Sequence, residues 1–195
     1  YVACENGNSE IVKELLKNDS IDVNRKSGEA TPLYIACSKG HSEIVKELLN
    51  HNSIDITTAG PLIQLASTTG NLEIVRELSK IKINSVDINA GTSLYVACEN
   101  GNSEIVKELL KNDSIDVNRK SGEATPLYIA CSKGHSEIVK ELLNHNSIDI
   151  TTAGPLIQLA STTGNLEIVR ELSKIKINSV DINAGTSLYV ACENG

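Results

Sequence analysis

The strongest constraint on this chain is that it repeats itself without error. Residues 1–94 recur unchanged as residues 95–188, and residues 189–195 repeat residues 1–7 once more. A fold that suits such a chain must be built by translation, because no residue in the second copy differs from its counterpart in the first. Net charge follows the same rule and comes to -7 over the 195 residues. That acidic balance disfavours the basic surface that neutralises nucleic-acid phosphates, so no nucleic-acid partner is expected. Hydrophobic residues make up 40% of the chain, enough to sustain folded structure. No apolar run approaches the ~20 residues of a membrane span. The chain opens on Tyr1 with no signal-peptide pattern, which predicts that the natural N-terminus lies upstream.

A shorter period lies inside the long one. Tyr95-Val96-Ala97-Cys98, Tyr34-Ile35-Ala36-Cys37 and Gln64-Leu65-Ala66-Ser67 each begin a stretch in which a glycine closes one apolar segment and a second follows. Counted from Tyr1, which repeats the Tyr95 segment, the starts fall 33 residues on at Tyr34, 30 further at Gln64 and 31 further at Tyr95. We divide residues 1–195 as one array of modules at approximately 1–30, 31–60, 61–91, 92–124, 125–154, 155–185 and 186–195, the first and last truncated.

Each module has a legible physics. Thr31-Pro32 predicts a helix start, with a hydroxyl at the cap and a proline that has no N–H to lose. Leu33, Ile35, Ala36 and Cys37 then form a short apolar helix that Gly40 ends in a left-handed conformation. Ile44, Val45, Leu48 and Leu49 recur at helical spacing and make one apolar stripe, while Glu43, Lys46 and Glu47 face water. Ile21-Asp22-Val23-Asn24 and Ile54-Asp55-Ile56 alternate like extended chain before Ser27-Gly28 turns back. Helices this short do not persist alone in water. Stacked against similar neighbours they bury their stripes in a continuous core, so the eight residues from Leu33 to Leu49 just named are the expected stacking core.

Thr31-Pro32-Leu33-Tyr34-Ile35-Ala36-Cys37-Ser38-Lys39-Gly40-His41 and the following Glu43-Ile44-Val45 and Leu48-Leu49 closely resemble the ankyrin repeat, and the likeness recurs at every module. The resemblance implies an all-α solenoid of antiparallel helix pairs with short finger segments, open at its ends, and protein binding rather than catalysis. Departures accompany it. The family's His gives way to Tyr34, Tyr95, Tyr128 and Tyr189 and to Gln64 and Gln158, and Tyr is expected to fill that space with one hydrogen bond. Pro61-Leu62-Ile63 stands where Thr-Pro-Leu is expected, so that helix start should be irregular. Fingers shorten from twelve residues (Asp22 to Tyr34) to nine (Asp55 to Gln64) and eight (Asp87 to Tyr95). Lys80-Ile81-Lys82-Ile83 carries extra length after the second helix of the third module.

Nothing in the sequence points to catalysis. Phosphate-loop, HExxH and GxSxG patterns are missing, and no cofactor or metal is expected. Cys4, Cys37, Cys98, Cys131 and Cys192 occupy one equivalent position each, which suits buried thiols in a reducing compartment better than disulfides or zinc. His41 and His135 should bond loop backbone, and His51 and His145 should sit against helix C-termini. Asp22, Asp55 and Asp87 should accept backbone N–H groups. Asn18-Asp19-Ser20 and Asn112-Asp113-Ser114 match a glycosylation sequon by chance unless the protein is secreted.

Partner contacts are expected at Arg25, Lys26, Glu29 and Lys39, and at Arg119, Lys120, Glu123 and Lys133. Two functions suit this pattern. One is a structural or scaffolding array, a segment of a longer solenoid or filament that associates end to end or continues covalently. The other is an adaptor that grips a specific or repetitive protein on its concave face. A cytoplasmic setting is the default, with an extracellular filament as the alternative. A designed array is a third origin for such identity, although a designer would usually remove the cysteines and cap the ends.

Overall fold

The computed structural model describes residues 1–18, 20–57, 59–81, 90–151 and 153–175, with 90 and 91 as backbone only. Expectations at Asp19, Lys82-Ile83, Asp87, Tyr189 and Cys192 lie outside these. The chain divides into two compact units, Tyr1–Ser93 and Leu94–Gly195.

The first unit holds α1 (Val2–Glu5), α2 (Ser9–Leu16), α3 (Pro32–Lys39), α4 (Ser42–Leu49), α5 (Ala59–Thr69) and α6 (Leu72–Ser79). Helix α7 (Ala90–Glu99) runs across the division. The second unit continues with α8 (Ser103–Leu109), α9 (Pro126–Lys133), α10 (Ser136–Leu143), α11 (Ala153–Thr162) and α12 (Leu166–Ser173). Among the described residues there is no strand, only isolated bridges between Ser27 and Ala30 and between Ser121 and Ala124. In the first unit the leading helices α1, α3 and α5 pack side by side, and α2, α4 and α6 form a second row against them. In the second unit α9 packs on α11, and α8, α10 and α12 form a row.

Local chemistry sets the helix ends. Thr31 Oγ1 accepts the Tyr34 N–H at 3.1 Å, Pro32 takes the first position, and Gly40 ends α3 at φ 78°. Thr125, Pro126 and Gly134 repeat this around α9. Where Thr-Pro is missing, helices start a turn earlier. Helix α5 begins at Ala59, ahead of Leu62, the counterpart of Pro32, and α7 begins at Ala90, ahead of Ser93. Without a capping hydroxyl, helical backbone runs back into the shortened finger, and Pro61 is tolerated because first-turn N–H groups lack helical partners anyway.

The core is apolar and continuous within each unit. Leu33, Ile35, Ala36, Cys37, Ile44, Val45 and Leu48 are buried, whereas Leu49 is only half-buried, at the edge of its stripe. Ser67 replaces the cysteine in the third module and is satisfied by its own helix, its Oγ donating to the Ile63 carbonyl at 2.8 Å.

Helices α2 and α4 share the octapeptide Ser-Glu-Ile-Val-Lys-Glu-Leu-Leu. Their surroundings differ: α4 lies between α2 and α6, whereas α2 meets only α4 in its row. Ile44 and Leu48 are 1% and 2% exposed, and their counterparts Ile11 and Leu15 are 52% and 45% exposed. Identical residues are therefore core or surface according to their neighbour alone. Each covered aliphatic side chain contributes roughly 1.5–3 kcal/mol of transfer free energy, so adjacent modules hold most of one another's stability.

Polar stitches fix the register. The Asn24 side chain donates to the Ser53 carbonyl at 2.7 Å and accepts the Asp55 N–H at 2.9 Å, clamping the next finger by its backbone. Asn118 does the same to Ser147 and Asp149 at 2.7 and 2.8 Å. Lys13 Nζ lies 3.1 Å from Glu10 and 2.7 Å from Glu43 on the next helix, an arrangement that Lys107 repeats with Glu104 and Glu137 at 3.0 and 2.8 Å.

Candidate protein-interaction surface

No strand forms at Ile21–Asn24 or Ile54–Ile56; each segment leads into a turn, at Val23–Asn24 and at Thr57. Asp22 Oδ1 accepts the Asn24 N–H at 3.0 Å, and Asp55 Oδ1 accepts the Thr57 N–H at 2.9 Å. A short side-chain acceptor turns the backbone before a strand can develop. The Thr57 hydroxyl and N–H hold the Asp55 carboxyl below the usual carboxylate range. Beyond Asp22, Ser27 and Ala30 exchange backbone bonds of 2.9 and 3.4 Å around Gly28, whose φ of +63° is the left-handed value glycine adopts without strain.

Arg25, Lys26 and Glu29 are exposed on this hairpin, and Lys39 is exposed on the last turn of α3. Arg119, Lys120, Glu123 and Lys133 are exposed in the second unit. Tyr34 and Tyr128 face water as well, at 46% and 45% exposure, which corrects the expectation that they fill the family's His space. The residues at N3 of α3 and α9 point out of the helix pair, leaving Leu33 and Ile35 or Leu127 and Ile129 to face the core.

Two of the expected contacts share a cavity. A groove of about 590 Å³ in the first unit is floored by Val12, Leu15 and Ile21 and lined by Arg25 and Lys26. Glu29 and Lys39 lie outside it. Sequence reasoning missed this groove because its floor repeats the stripe that is core elsewhere. It also missed the Asn24 clamp, although an asparagine 29 residues ahead of Ser53, and again ahead of Ser147, was there to be read.

Other titratable groups hold the scaffold. Cys4, Cys37, Cys98 and Cys131 are buried free thiols, and burial pushes the Cys37 and Cys131 thiols up to about 12. Such thiols are poor nucleophiles. His41 Nε2 lies 3.2 Å from the Glu5 carbonyl, and His135 Nε2 lies 3.3 Å from that of Glu99. His51 Nδ1 accepts the Ser53 N–H at 3.3 Å, so the ring closes the turn after the C-terminal end of α4. Among the described residues no group of three or more His, Cys, Asp or Glu is placed to hold a metal ion, and no helix is long and apolar enough to cross a membrane.

Known proteins share this architecture. The family described as ankyrin repeats (3 copies) matches residues 1–60 and 62–154. The human ASB11 ankyrin repeat domain superposes with a TM-score of 0.73 at 22% identity, over 97% of this chain and 89% of its own. EF0377, an ankyrin repeat protein, superposes with a TM-score of 0.74 at 26% identity, over 89% of this chain and 96% of its own. No curated protein matches the sequence. A TPLYIACSKGH helix start, paired helices in two rows and a turned finger between pairs are the marks of one kind of solenoid, and the chain belongs to the ankyrin repeat family.

Proposed function

We propose that the protein is a non-enzymatic scaffolding array that binds proteins, including further copies of itself, through surfaces that recur with its 94-residue unit. The octapeptide shared by α2 and α4 carries this reading. Ile44 and Leu48 are buried where α4 stands between α2 and α6, so the stripe that recurs from module to module becomes core when helix pairs lie on both sides of it. A stripe that accepts a neighbouring helix pair wherever one is present suits end-to-end assembly or covalent continuation of the array. Sedimentation velocity over a concentration series tests it. The expected result is reversible association that Leu15→Lys abolishes, and a single species at all concentrations overturns it.

The adaptor reading rests on a different observation. Tyr34 and Tyr128 stand exposed on the leading helices, where aromatic side chains serve as contact anchors. With Arg25, Lys26, Glu29 and Lys39, and with Arg119, Lys120, Glu123 and Lys133, they would offer a protein partner the same surface twice. Tyr34→Ala combined with Tyr128→Ala is expected to abolish capture of a partner that either single variant retains. Buried thiols at Cys37 and Cys131 suit a reducing, cytoplasmic setting.

A further inference from the structure

We propose that Asn6-Gly7 and Asn100-Gly101 are sites of spontaneous deamidation and isomerisation, held in check by the histidine of the following module. Lys39, Thr69, Lys133 and Thr163 precede the corresponding glycines elsewhere, so in the described modules the reactive pair belongs to the first type alone. Asn6 and Asn100 are exposed at the ends of α1 and α7. Glycine, without a Cβ, leaves its backbone nitrogen unhindered for attack on the preceding side chain.

The chemistry needs only water. The Gly7 nitrogen attacks Asn6 Cγ, so an N–Cγ bond forms and the Cγ–NH2 bond breaks. Ammonia leaves with the proton from the Gly7 N–H, and a five-membered imide remains. Water then opens the imide at one of its two carbonyls. Opening at the main-chain carbonyl gives isoaspartate, whose backbone runs through the former side chain, and opening at the other gives aspartate.

The folded turn withholds this reaction. Ring closure requires the Gly7 nitrogen to swing onto the Cβ side of Asn6, but ψ of -2° at Asn6 aligns it with the Asn6 nitrogen instead. Gly7 at φ 74° and the Asn8 N–H bond to the Ala3 carbonyl at 3.0 Å hold that geometry. The turn is also covered from the next module. A Cβ on Gly7 would lie 2.7 Å from His41 Cε1, and His41 Nε2 sits 3.2 Å from the Glu5 carbonyl. His135 lies over Gly101 in the same manner, at 2.8 Å and 3.3 Å. Reaction therefore waits on local opening, and the histidine stitch governs how often the turn opens. Isoaspartate at residue 6 would lengthen the main chain, break the Asn8–Ala3 closure and move Gly7 from beneath His41. One module pair would then lose its stitch.

Peptide mapping of the full chain after incubation in warm, mildly alkaline buffer tests the proposal. Trypsin separates the two sites, because Asn6 leaves in Tyr1–Lys13 and Asn100 in a peptide starting at Ile83. Folded wild-type chain is expected to deamidate more slowly at both sites than chain unfolded in urea. His41→Ala should accelerate Asn6 by about fivefold, the change in opening that loss of one net hydrogen bond produces, and leave Asn100 unchanged. His41→Asn should restore the slow rate, because Asn71 already makes this kind of stitch, its Nδ2 donating to the Gly40 carbonyl at 3.3 Å. Circular dichroism of each variant shows whether the helices persist. Equal rates at Asn6 and Asn100 in folded His41→Ala, or a slower rate at Asn6, overturn the proposal. So does the absence of conversion in unfolded chain.

Discussion

Leu15 and Leu48 provide an experiment already built into the chain, since each is the seventh residue of the same octapeptide helix. Leu48 is 2% exposed and Leu15 is 45% exposed. Leu48→Ala removes about three buried carbon groups at ~0.8 kcal/mol each and leaves a cavity between α4 and its neighbours, a total of about 3–4 kcal/mol. Leu15→Ala removes the same atoms from a site already near half solvated, with no enclosed cavity, and should cost about 1.3 kcal/mol. Intrinsic helix propensity cancels because the flanking residues are identical. Both substitutions fall within Tyr1–Ser93, so urea unfolding followed by circular dichroism at low protein concentration compares them in one compact unit. Equal costs would refute the claim that neighbours alone decide which copy of the stripe is core.

Three further outcomes follow from the geometry. Gly7→Ala should destabilise more than Gly28→Ala by at least about 1 kcal/mol in thermal melts. Both have positive φ, but a Cβ at Gly7 meets the His41 ring at 2.7 Å, whereas nothing lies within 4 Å at Gly28. Cys37 and Cys131, held near 12 by burial, should resist a disulfide exchange reagent at mildly alkaline pH and react fully in urea, as a timed colour assay would show. Asp55 and Asp149 have folded values below the ordinary carboxylate range, so the folded state binds fewer protons there than the unfolded state. Their contribution is present above the unfolded value and is lost as pH falls through the folded one. Asp55→Asn with Asp149→Asn should therefore flatten the acid arm of a stability–pH curve and leave its alkaline arm unchanged.

Periodic features of this fold were legible in the residues, and features that depend on context were not. Thr31-Pro32 and Gly40 mark α3 because a cap hydroxyl, a proline and a left-handed glycine each act within a turn of their own position. The irregular start of α5 was legible from Pro61-Leu62-Ile63, but how far α5 and α7 run back was not, because an absent cap leaves helical and turned backbone close in energy. The resemblance implies a packed site for Tyr34, but the geometry of α3 directs it to solvent. At the candidate interaction surface the exposed charges of Arg25 and Lys26 could be anticipated. The groove beside them could not, because Leu15 reads the same as Leu48 and only the neighbouring helix tells them apart.

Asn24 grips the Ser53 carbonyl and the Asp55 amide, and Asn118 grips their counterparts; both targets are main-chain atoms. Such a clasp is blind to the side chains it holds. Mutation can rewrite the hairpin tips at Arg25, Lys26 and Glu29 while their spacing along the molecule stays locked. Descendants of this chain could thus acquire new binding specificities without first relearning how to fold.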